Sequence, residues 1–408
     1  MSLSYNAYSF SLNTDNLIPE RRKDQFPSES AWYLIPFPYN YPGIGSGIAW
    51  MANASNVLDT PTDATLAYVT GDVGGTLYSV KEFHLIPKTI FIGYEAMNLD
   101  KLALQNYDQR GMDTNKDDFT IIESNKYSTQ EANITFSFWE RRLELNISHQ
   151  TDSIKMIRIR DSDGDVISDL TDPYKSSTSR TTGTLAFDLT DDWQDPRKGA
   201  RLELSRRDSP RDTSDDPNFF VMNYNLKLYY PIGKISTLAF NYFRSDAHVT
   251  SKGTTDRNTI IGNLDLDCTA GDTECETTQE DLIQRFINQN TNGSSASLGG
   301  PDRLRSYGDG RFKGAHMEFL AVEMRWNLRE EFTPFNYFIW KDTRTGIQVA
   351  FFAETGTVSE TTGDLWKRSR ASYGAGLRMV TGSGFVYRLE IAAGDEGIEP
   401  VLLFYYPW

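Results

Sequence analysis

The sequence predicts an all-β protein, a sixteen-stranded antiparallel transmembrane β-barrel with a long sixth external loop that folds inward. Three observations support this prediction. From Ala31 onwards, short segments alternate apolar and polar residues at the period of a β-strand. The polar positions carry full charges, which suit a water-filled lumen and are costly in the core of a soluble sandwich. Short turns alternate with long polar loops, an asymmetry that outer-membrane barrels share.

Composition excludes two classes of protein. The chain has 408 residues, a formal net charge of −15 and an aromatic content of 13%. No uncharged apolar run approaches the roughly 18–20 residues of a transmembrane helix, so helical spans are excluded. The acidic balance leaves no basic stripe to neutralise phosphates, so nucleic acid is excluded as a partner. A barrel is compatible with the mean hydropathy of −0.50, because its strands are polar at every second position.

The chain is predicted to have two parts. Residues 1–29 are polar and irregular, with a charge run at residues 20–24. They are too few for a domain and are predicted to form a short periplasmic tail or a small plug, although such a run is usually a solvated face. Residues 30–408 form the predicted barrel.

Eight strands are predicted in the first half of the barrel, at residues 31–39, 43–53, 62–71, 76–85, 88–97, 131–139, 142–149 and 182–190. Glycine pairs and a proline–lysine step give the turn signals between the third, fourth and fifth strands. The polar segments 98–130 and 150–180 lie between predicted strands. Both are therefore predicted to be external loops.

Eight further strands are predicted, at residues 199–205, 219–230, 235–244, 315–328, 346–356, 372–380, 385–393 and 398–408. The total of sixteen is even, as closure of an antiparallel barrel requires. The external loop 246–314 follows the eleventh strand. Within it, residues 278–288 show the apolar stripe of a short amphipathic helix. Cys268 and Cys275 are predicted to form a disulfide, with two free thiols as the alternative.

The end of this loop, residues 299–314, is glycine-rich and carries four cations. A loop this long and this charged needs a partner inside the barrel, because ordering it is costly. Glu354 on the thirteenth strand is the best candidate partner for Arg305, since a guanidinium binds a carboxylate through two parallel hydrogen bonds. The alternative is that Arg305 is a solvated loop cation.

Four segments resemble motifs of the BamA/TamA superfamily of outer-membrane barrels, also called bacterial surface antigens. Leu304-Arg305-Ser306-Tyr307 resembles the V-R-G-Y/F motif of the sixth external loop. Residues 352–356, with Phe352, Glu354 and Gly356, resemble the F-x-D-x-G motif of the thirteenth strand. Residues 191–199 resemble the family's D…P-x-x-G turn, and the terminal Trp408 resembles the aromatic signal that the assembly machinery reads.

The resemblance implies a barrel in the outer membrane of a Gram-negative bacterium. Ser306 stands where the family has Gly, and Glu354 stands where it has Asp, so the ion pair with Arg305 is expected to shift by a methylene. About thirty residues precede the first strand, fewer than a periplasmic POTRA domain needs. The chain therefore resembles the POTRA-less subclass, and an assembly or transport activity does not follow from the resemblance alone.

Prolines mark the first and last strands, which must pair to close the barrel. The first strand contains Pro36 and Pro38, and the last contains Pro400 and Pro407 before Trp408. Proline cannot donate to a strand ladder, so these positions predict a weak lateral seam that can part towards lipid. The alternative is ordinary protection of strand edges against aggregation.

Acidic loops offer a second kind of site. Asp161, Asp163, Asp165 and Asp169 have the alternating spacing of calcium ligands, and residues 113–118 are similar. Neither segment has the glycine and glutamate of an EF-hand loop, so a solvated acidic loop is the alternative. No cofactor is expected beyond this structural calcium.

Enzymatic activity is not expected. The four histidines are scattered, and no nucleophile elbow or P-loop is present. The pairs Glu323 with Arg325 and Arg388 with Glu390 are interpreted as a solvated barrel interior. Three functions stay open: a barrel that acts on outer-membrane lipid or nascent outer-membrane protein through the seam, a passive channel, and a surface-interaction barrel. Exposed Tyr and Phe leave room for a homodimer.

Overall fold

The computed structural model describes residues 18–211, 213–264, 268, 271, 273–329, 334–337, 340–381 and 386–408. Its main feature is one antiparallel sheet that closes on itself. The first nine strands are β1 (Ala31–Tyr41), β2 (Gly45–Ser55), β3 (Asp63–Gly71), β4 (Gly74–Ile86), β5 (Ile90–Tyr107), β6 (Phe119–Phe138), β7 (Leu143–Arg160), β8 (Val166–Thr190) and β9 (Gly199–Ser209).

The second half of the sheet contains β10 (Asn218–Ile232), β11 (Ser236–Ser251), β12 (His316–Arg329), β13 (Pro334–Tyr337), β14 (Trp340–Ser359), β15 (Arg370–Thr381), β16 (Val386–Gly394) and β17 (Gly397–Phe404). Consecutive strands pair antiparallel around the sheet. The short β13 and the longer β12 pair with successive parts of β14, so together they occupy one barrel position. The predicted sixteen-stranded barrel is confirmed.

Side chains alternate between the lumen and the outer surface, as the sequence pattern predicts. On β10, β11 and β12 the outward positions are apolar and exposed, among them Leu228, Phe240 and Leu320. The inward positions of β12 include Glu323 and Arg325, which are at most 1% exposed. Because the apolar groups lie outside and the charges inside, the barrel is inverted relative to a soluble protein. Among the described helices, none has the length and apolar character needed to cross a membrane.

The prediction that residues 98–130 and 150–180 are loops was wrong. Strands β5 to β8 continue beyond the apolar band, and only residues 108–118 and 161–165 connect them there. Cross-strand ion pairs join the extensions, such as Arg158 and Arg160 with Glu123 at 3.4 and 2.7 Å. Leu99, Leu102 and Tyr107 are buried in this extension, but irregularities in the strand register and polar residues on both faces leave its sequence without a regular apolar alternation that would distinguish it from a loop.

The loop between β11 and β12 begins later and contains more helix than predicted. β11 continues to Ser251, so the predicted start at residue 246 was wrong. The predicted helix at 278–288 lies inside the longer α2 (Thr273–Asn292), and α1 (Arg257–Leu264) precedes it. Only the central turns of α2 carry apolar residues, with Ile283 fully buried. The polar turns at either end gave no periodic signal.

The N-terminal segment lies across the end of the barrel at which β1 begins and β17 ends, here called the terminal end. The Arg21 guanidinium donates to the Thr190 carbonyl, and the Trp193 amide donates to the Gln25 side chain. Phe26 is buried against the rings of His84 and Phe91, at 5.5 and 6.3 Å. Residues 18–30 therefore span this opening, from the β8–β9 turn to β4 and β5. Residues 1–17 lie outside the described part of the chain.

Candidate functional site

The tip of the β11–β12 loop enters the lumen and places Arg305 among carboxylates. The Arg305 Nε donates to Glu354 Oε1 at 2.8 Å, and the Arg305 backbone amide donates to Glu354 Oε2 at 3.0 Å. The same guanidinium contacts Glu390 at 2.8 Å and Glu323 at 3.4 Å. Its central carbon lies 3.3 Å from the centroid of the Phe352 ring. The structure thus brings together the two residues of the predicted pair.

Arg305 belongs to a larger buried set, here called the charge cluster. Its seven strand and loop members, each at most 3% exposed, are Arg305, Arg325, Arg378, Arg388, Glu323, Glu354 and Glu390. Arg378 contacts both Glu323 and Glu390, at 2.6 and 2.5 Å. The cluster contains four arginines and three glutamates. Asp302, at 3.3 Å from Arg388, supplies a fourth negative charge. Because each buried charge has partners, the loop and β12–β16 are joined as one unit.

The interpretation of these strand charges as a solvated interior was wrong. Glu323 with Arg325, and Arg388 with Glu390, lie 2.6 and 3.0 Å apart and are shielded from solvent by the loop. The sequence pattern of an inward-facing charge is the same whether the lumen contains water or is filled by a loop. The signal that could have found the cluster is its position: Glu323 and Arg325 lie on β12, which pairs with the strand of Glu354, and Arg388 and Glu390 lie on β16, two strands away on the other side.

The other residues of the loop motif also pack inside the barrel. Leu304 has a left-handed backbone, with φ 54°, and is fully buried. The Tyr307 hydroxyl donates to the Ala371 carbonyl at 3.2 Å. Ser306 packs against Gly394, where an added Cβ would lie 2.3 Å from the Ser306 hydroxyl oxygen. Gly394 therefore supplies the space that the serine needs in place of the family glycine.

Glycine at position 356 has a packing reason. A Cβ at Gly356 would lie 2.7 Å from a methyl group of Leu298, which is itself fully buried in the loop. The third residue of the strand motif thus lets the loop approach the wall of the barrel.

The loop also contacts turns on both sides of the barrel closure. The Asp309 backbone amide donates to the Pro42 carbonyl of the β1–β2 turn at 3.2 Å. Arg311, which no sequence pattern singled out, pairs with Glu396 of the β16–β17 turn at 2.9 Å. Burial, reinforced by nearby Asp302, raises the pKa of the Asp309 carboxyl to about 6. One loop thus holds the first and last hairpins together at the loop end of the barrel.

Further contacts fasten the loop to the β5–β6 connection. Arg285 of α2 pairs with Asp108 at 3.3 Å, and Lys313 donates to the Tyr107 carbonyl at 3.0 Å. Burial raises the pKa of the Asp108 carboxyl to about 6. Burial, with Arg285 nearby, lowers the pKa of the Lys313 ammonium to about 7. These groups change charge near neutral pH.

The closure of the barrel has almost no backbone ladder. β1 pairs with β2 at every position from Ala31 to Tyr41, yet it pairs with β17 only at Asn40 and Leu402. At the terminal end, β1 instead pairs with the start of β14, at Trp32 with Lys341 and at Tyr33 with Trp340. The β13–β14 hairpin therefore reaches past β15, β16 and β17 to the first strand.

The strands at the closure overlap, and this arrangement is here called the lapped seam. Phe37 is buried and alternates with exposed prolines, so it lies on the inner face of β1. Tyr387 and Phe404 share the outer face of β16 and β17, because Arg388 faces inward. The Phe37 ring nevertheless packs on both, with centroids 4.8 and 5.3 Å away. The inner face of β1 thus covers the outer face of β16 and β17.

Side-chain hydrogen bonds of Tyr387 and Asn40 take the place of the missing ladder. The Tyr387 hydroxyl donates to the Pro38 carbonyl at 2.8 Å, and the Asn40 amide donates to the Pro400 carbonyl. Amide and carbonyl of one strand residue point to the same edge, so Pro38 and Pro400 direct their backbone towards the seam. Pro36, two residues before Pro38, directs its backbone to the same edge.

The prediction that the last strand continues to Trp408 was wrong. β17 ends at Phe404, and Tyr405, with φ 68°, turns the remaining residues into the lumen. There Lys81 donates to the Tyr405 hydroxyl, and Tyr406 donates to Asp195 at 3.0 Å. Trp408 is buried with its ring 5.2 Å from the Arg325 guanidinium. Its cationic neighbours hold the terminal aromatics inside, and Pro407 is no part of the seam.

The opposite side of the lumen is a chamber. Two cavities of about 440 and 260 Å³ share Lys81, Glu82, Arg141 and Trp193, and so form one space between β2 and β9. The carboxylates that line it are Asp63, Glu82, Glu95, Glu131, Glu144 and Glu203. Glu95 is 57% exposed although it faces inward, so this half of the lumen holds water.

The structure also places the disulfide and the calcium candidates. Cys268 and Cys275 are joined between α1 and the body of α2. Asp161 accepts from the Asp165 amide in the β7–β8 turn, and Asp169 pairs with Arg158 at 2.5 Å. The described residues contain no group of three or more acids, cysteines or histidines arranged to hold a metal, and the calcium interpretation of Asp161, Asp163, Asp165 and Asp169 stays a prediction.

No protein-family model and no curated protein matches the sequence. Solved structures do match. BamA of Haemophilus ducreyi lacking POTRA domains 1–3 superposes at a TM-score of 0.50 and 12% identity, over 94% of this chain and 70% of that one. CdiB of Escherichia coli superposes at a TM-score of 0.50 and 10% identity, over 92% of this chain and 61% of that one, so this chain spans less than two thirds of CdiB. The resemblance to BamA is confirmed at the level of the barrel fold.

Proposed function

We propose that this protein is an outer-membrane barrel of a Gram-negative bacterium that acts on lipid or on outer-membrane protein assembly by parting its lapped seam. One observation carries the proposal. β1 and β17 share a single residue pair, Asn40 with Leu402, whereas β1 and β2 are paired along their whole length. The seam is therefore the position at which the sheet can separate with the smallest loss of hydrogen bonds.

Energetics favour opening at this seam. A backbone hydrogen bond contributes about 1 kcal/mol net in water, and far more where hydrocarbon replaces water. Parting β1 from β2 would break a full ladder in the membrane, whereas opening the seam breaks the one β1–β17 residue pair, the two β1–β14 pairs at the terminal end, and the side-chain hydrogen bonds of Tyr387 and Asn40. The remaining contacts are aromatic, and lipid tails can replace them.

The charge cluster confines the movement. Arg305 ties the loop to Glu323, Glu354 and Glu390, which lie on β12, β14 and β16. Removing one partner from such a buried set costs about 3–5 kcal/mol, so this part of the barrel stays rigid. We infer that β1 and β2 move while β12–β16 form the fixed side.

The outer surface supports the proposed location. Trp32, Trp50, Tyr68 and Tyr373 lie exposed on outward positions together with the aliphatic residues of the same strands. An apolar band with aromatic residues is typical of a barrel wall in contact with lipid and its interfaces.

A disulfide across the seam tests the proposal. Asn40→Cys with Leu402→Cys would lock the seam, and Leu228→Cys with Phe240→Cys, a paired position of β10 and β11, serves as the matched control. Each variant is placed in lipid vesicles, and lipid exchange between leaflets and insertion of an unfolded outer-membrane protein are measured. We expect the locked barrel to lose the activity, the control to keep it, and reductant to restore it. Equal activity in locked and unlocked barrels would refute the proposal that the protein acts by parting its seam.

The chamber supports a second candidate function, a passive channel. Its acidic lining and water content suit cation passage, but residues 18–30 and the inward-turned C terminus cross the terminal end. Under the seam proposal, the intact protein gives only small currents in planar bilayers. Large stable currents from the intact protein would favour the channel.

We propose no catalysed reaction. The four histidines lie apart: His84 stacks on Phe91, His316 pairs with Asp246, and His149 and His248 face outward. No two of them share a carboxylate or a nucleophile within hydrogen-bond distance among the described contacts.

A further inference from the structure

We infer that the lapped seam admits an acyl chain of a membrane lipid and does not template a polypeptide strand. This inference rests on the proposed function and names its substrate class. A strand added to β1 or β17 would need a continuous row of backbone donors and acceptors along the open edge. An acyl chain needs no hydrogen-bond donors or acceptors. It requires only an apolar space of adjustable width.

Each edge of the seam contains positions without a backbone donor: two on β1 and one on β17. The Pro38 carbonyl accepts from Tyr387 across the seam, so the nitrogens of Pro38 and Pro36 point to the open edge of β1 and carry no hydrogen. The Pro400 carbonyl accepts from Asn40, so the open edge of β17 also has a proline nitrogen. Between Leu34 and Asn40, an incoming strand would therefore find no donor on β1.

The missing donors matter because the seam lies in the apolar part of the wall. Two consecutive carbonyls of an added strand would lose their partners opposite Pro36 and Pro38. Each unsatisfied carbonyl is costly in hydrocarbon, because no water can replace the lost hydrogen bond. Templated strand addition is disfavoured at this position, whereas hydrocarbon contact is not.

The contact between the two layers has the chemistry of an acyl-chain site. It consists of Phe37 and Met51 on the side of β1 and β2, packed against Met379, Tyr387 and Phe404 on the side of β15–β17. None of these side chains carries a formal charge. Methionine side chains are flexible and adapt to irregular apolar ligands. When the layers separate, the inner face of β1 becomes an apolar surface that continues to the lipid-exposed Leu34 at the edge.

Photolabelling of the intact protein tests the inference. The protein is reconstituted in vesicles of phosphatidylethanolamine and phosphatidylglycerol that contain phosphatidylcholine with a diazirine in one acyl chain, and labelled residues are identified by mass spectrometry. We expect label on the inward-facing Phe37 and Met51 as well as on the outward-facing Trp50. The inward-facing Tyr229, far from the seam, stays unlabelled. The Asn40→Cys/Leu402→Cys disulfide removes the label from Phe37 and Met51 and leaves it on Trp50.

A second probe tests the polypeptide alternative. A synthetic peptide with the sequence of residues 397–408, carrying a photoreactive group, is offered to the same vesicles, with a scrambled peptide as control. We expect no excess labelling of β1 by the first peptide. In the Pro36→Val/Pro38→Val variant, two donors return to the edge, and we expect β1 to zip to β17 and lose lipid label; Pro231→Val in β10 is the matched control and keeps it.

The outcomes separate the two proposals. If the locked seam changes neither lipid exchange nor protein insertion, the proposed function fails. If the lock abolishes activity while the peptide labels β1 and lipid leaves Phe37 and Met51 unlabelled, the acyl-chain inference alone is overturned. The acyl-chain inference is also overturned if lipid label on Phe37 and Met51 persists unchanged in the locked barrel, because the chain would then not enter through the seam.

Discussion

The two sides of the lumen solve the problem of inward-facing charge in opposite ways. Around β12–β16, the inserted loop excludes water, and each buried arginine contacts at least one carboxylate within 3.3 Å. Between β2 and β9, Arg141 pairs with Glu82 and Glu144, and Glu203 pairs with Lys227 of β10, but Glu95 is 57% exposed towards the chamber and lies 3.5 Å from Lys81. Water screens exposed carboxylates such as Glu95, whereas the buried charge cluster depends on geometry. One side of the barrel is therefore a rigid frame, and the lapped seam lies where that frame meets the other side.

Neutralising a carboxylate of the charge cluster gives the largest expected effect. In Glu323→Gln, Arg305, Arg325 and Arg378 lose a charged partner in a site shielded from solvent. We expect the free energy of unfolding in urea to fall by about 3–5 kcal/mol. Glu131→Gln, on the chamber side, is the matched control and changes it by less than about 0.5 kcal/mol. Similar losses in both variants would erase the distinction between the two sides.

Removing the aromatic contact of the seam comes next. Phe37→Ala deletes a ring that packs between the two layers, and we expect a loss of about 3 kcal/mol in unfolding free energy. The variant also lets β1 move away from β17. When it is combined with Asn40→Cys and Leu402→Cys, we therefore expect the disulfide between positions 40 and 402 to form more slowly. Phe187→Ala, at an outward position on the chamber side, is the control with a smaller loss. An unchanged rate of disulfide formation would show that Phe37 does not hold the seam.

Replacing the loop arginine by lysine sharpens the comparison. A lysine at position 305 keeps the charge but cannot reach three carboxylates in one plane, because the ammonium lacks the guanidinium fork. We expect Arg305→Lys to cost about 2 kcal/mol in unfolding free energy. Arg180→Lys, at a half-exposed pair with Asp152, should cost close to nothing, because screened pairs contribute little. Equal stability of Arg305→Lys and the wild type would mean that charge alone holds the loop.

The smallest expected effect is on the docking of the loop tip and depends on pH. The pKa of the Asp309 carboxyl rises from its ordinary 3.8 to about 6 when the tip is docked, so protonation favours docking. That contribution is complete below pH 3.8 and is lost as the pH rises through about 6. Protease protection of the tip should therefore increase between about pH 7 and about pH 5, and Asp309→Asn should abolish the increase.

Lys313 complicates this measurement and provides its control. Burial lowers the pKa of the Lys313 ammonium to about 7, so its contribution is present at high pH and is lost as the pH falls through about 7. A fall in pH therefore favours docking through Asp309 and disfavours it through Lys313. The Asp309→Asn comparison is therefore made in a Lys313→Met background. A pH response that survives in the double variant would assign the effect to another group, such as Asp108.

Sequence patterns were informative where apolar and polar residues alternate along a single strand. Period-two alternation located all sixteen barrel positions, because each strand must place apolar groups towards lipid and polar groups towards the lumen. The pairing of Arg305 with Glu354 followed from motifs that lie 49 residues apart. Nothing in the strands themselves pointed to the added partners Glu323 and Glu390, since a hydrated and a desolvated inward charge have the same pattern.

Sequence patterns alone were sufficient to predict the barrel, the number of its strands, the inserted loop and the prolines at its closure. These are local properties, because alternation, turns and missing amide hydrogens belong to single segments. Tertiary structure alone decided which half of the lumen is dry, how far β5–β8 continue beyond the membrane wall, and that Trp408 turns inward towards Arg325. It also decided that the first strand laps over the last. Those outcomes depend on how distant segments compete for the same space and for water, and no single strand contains that information.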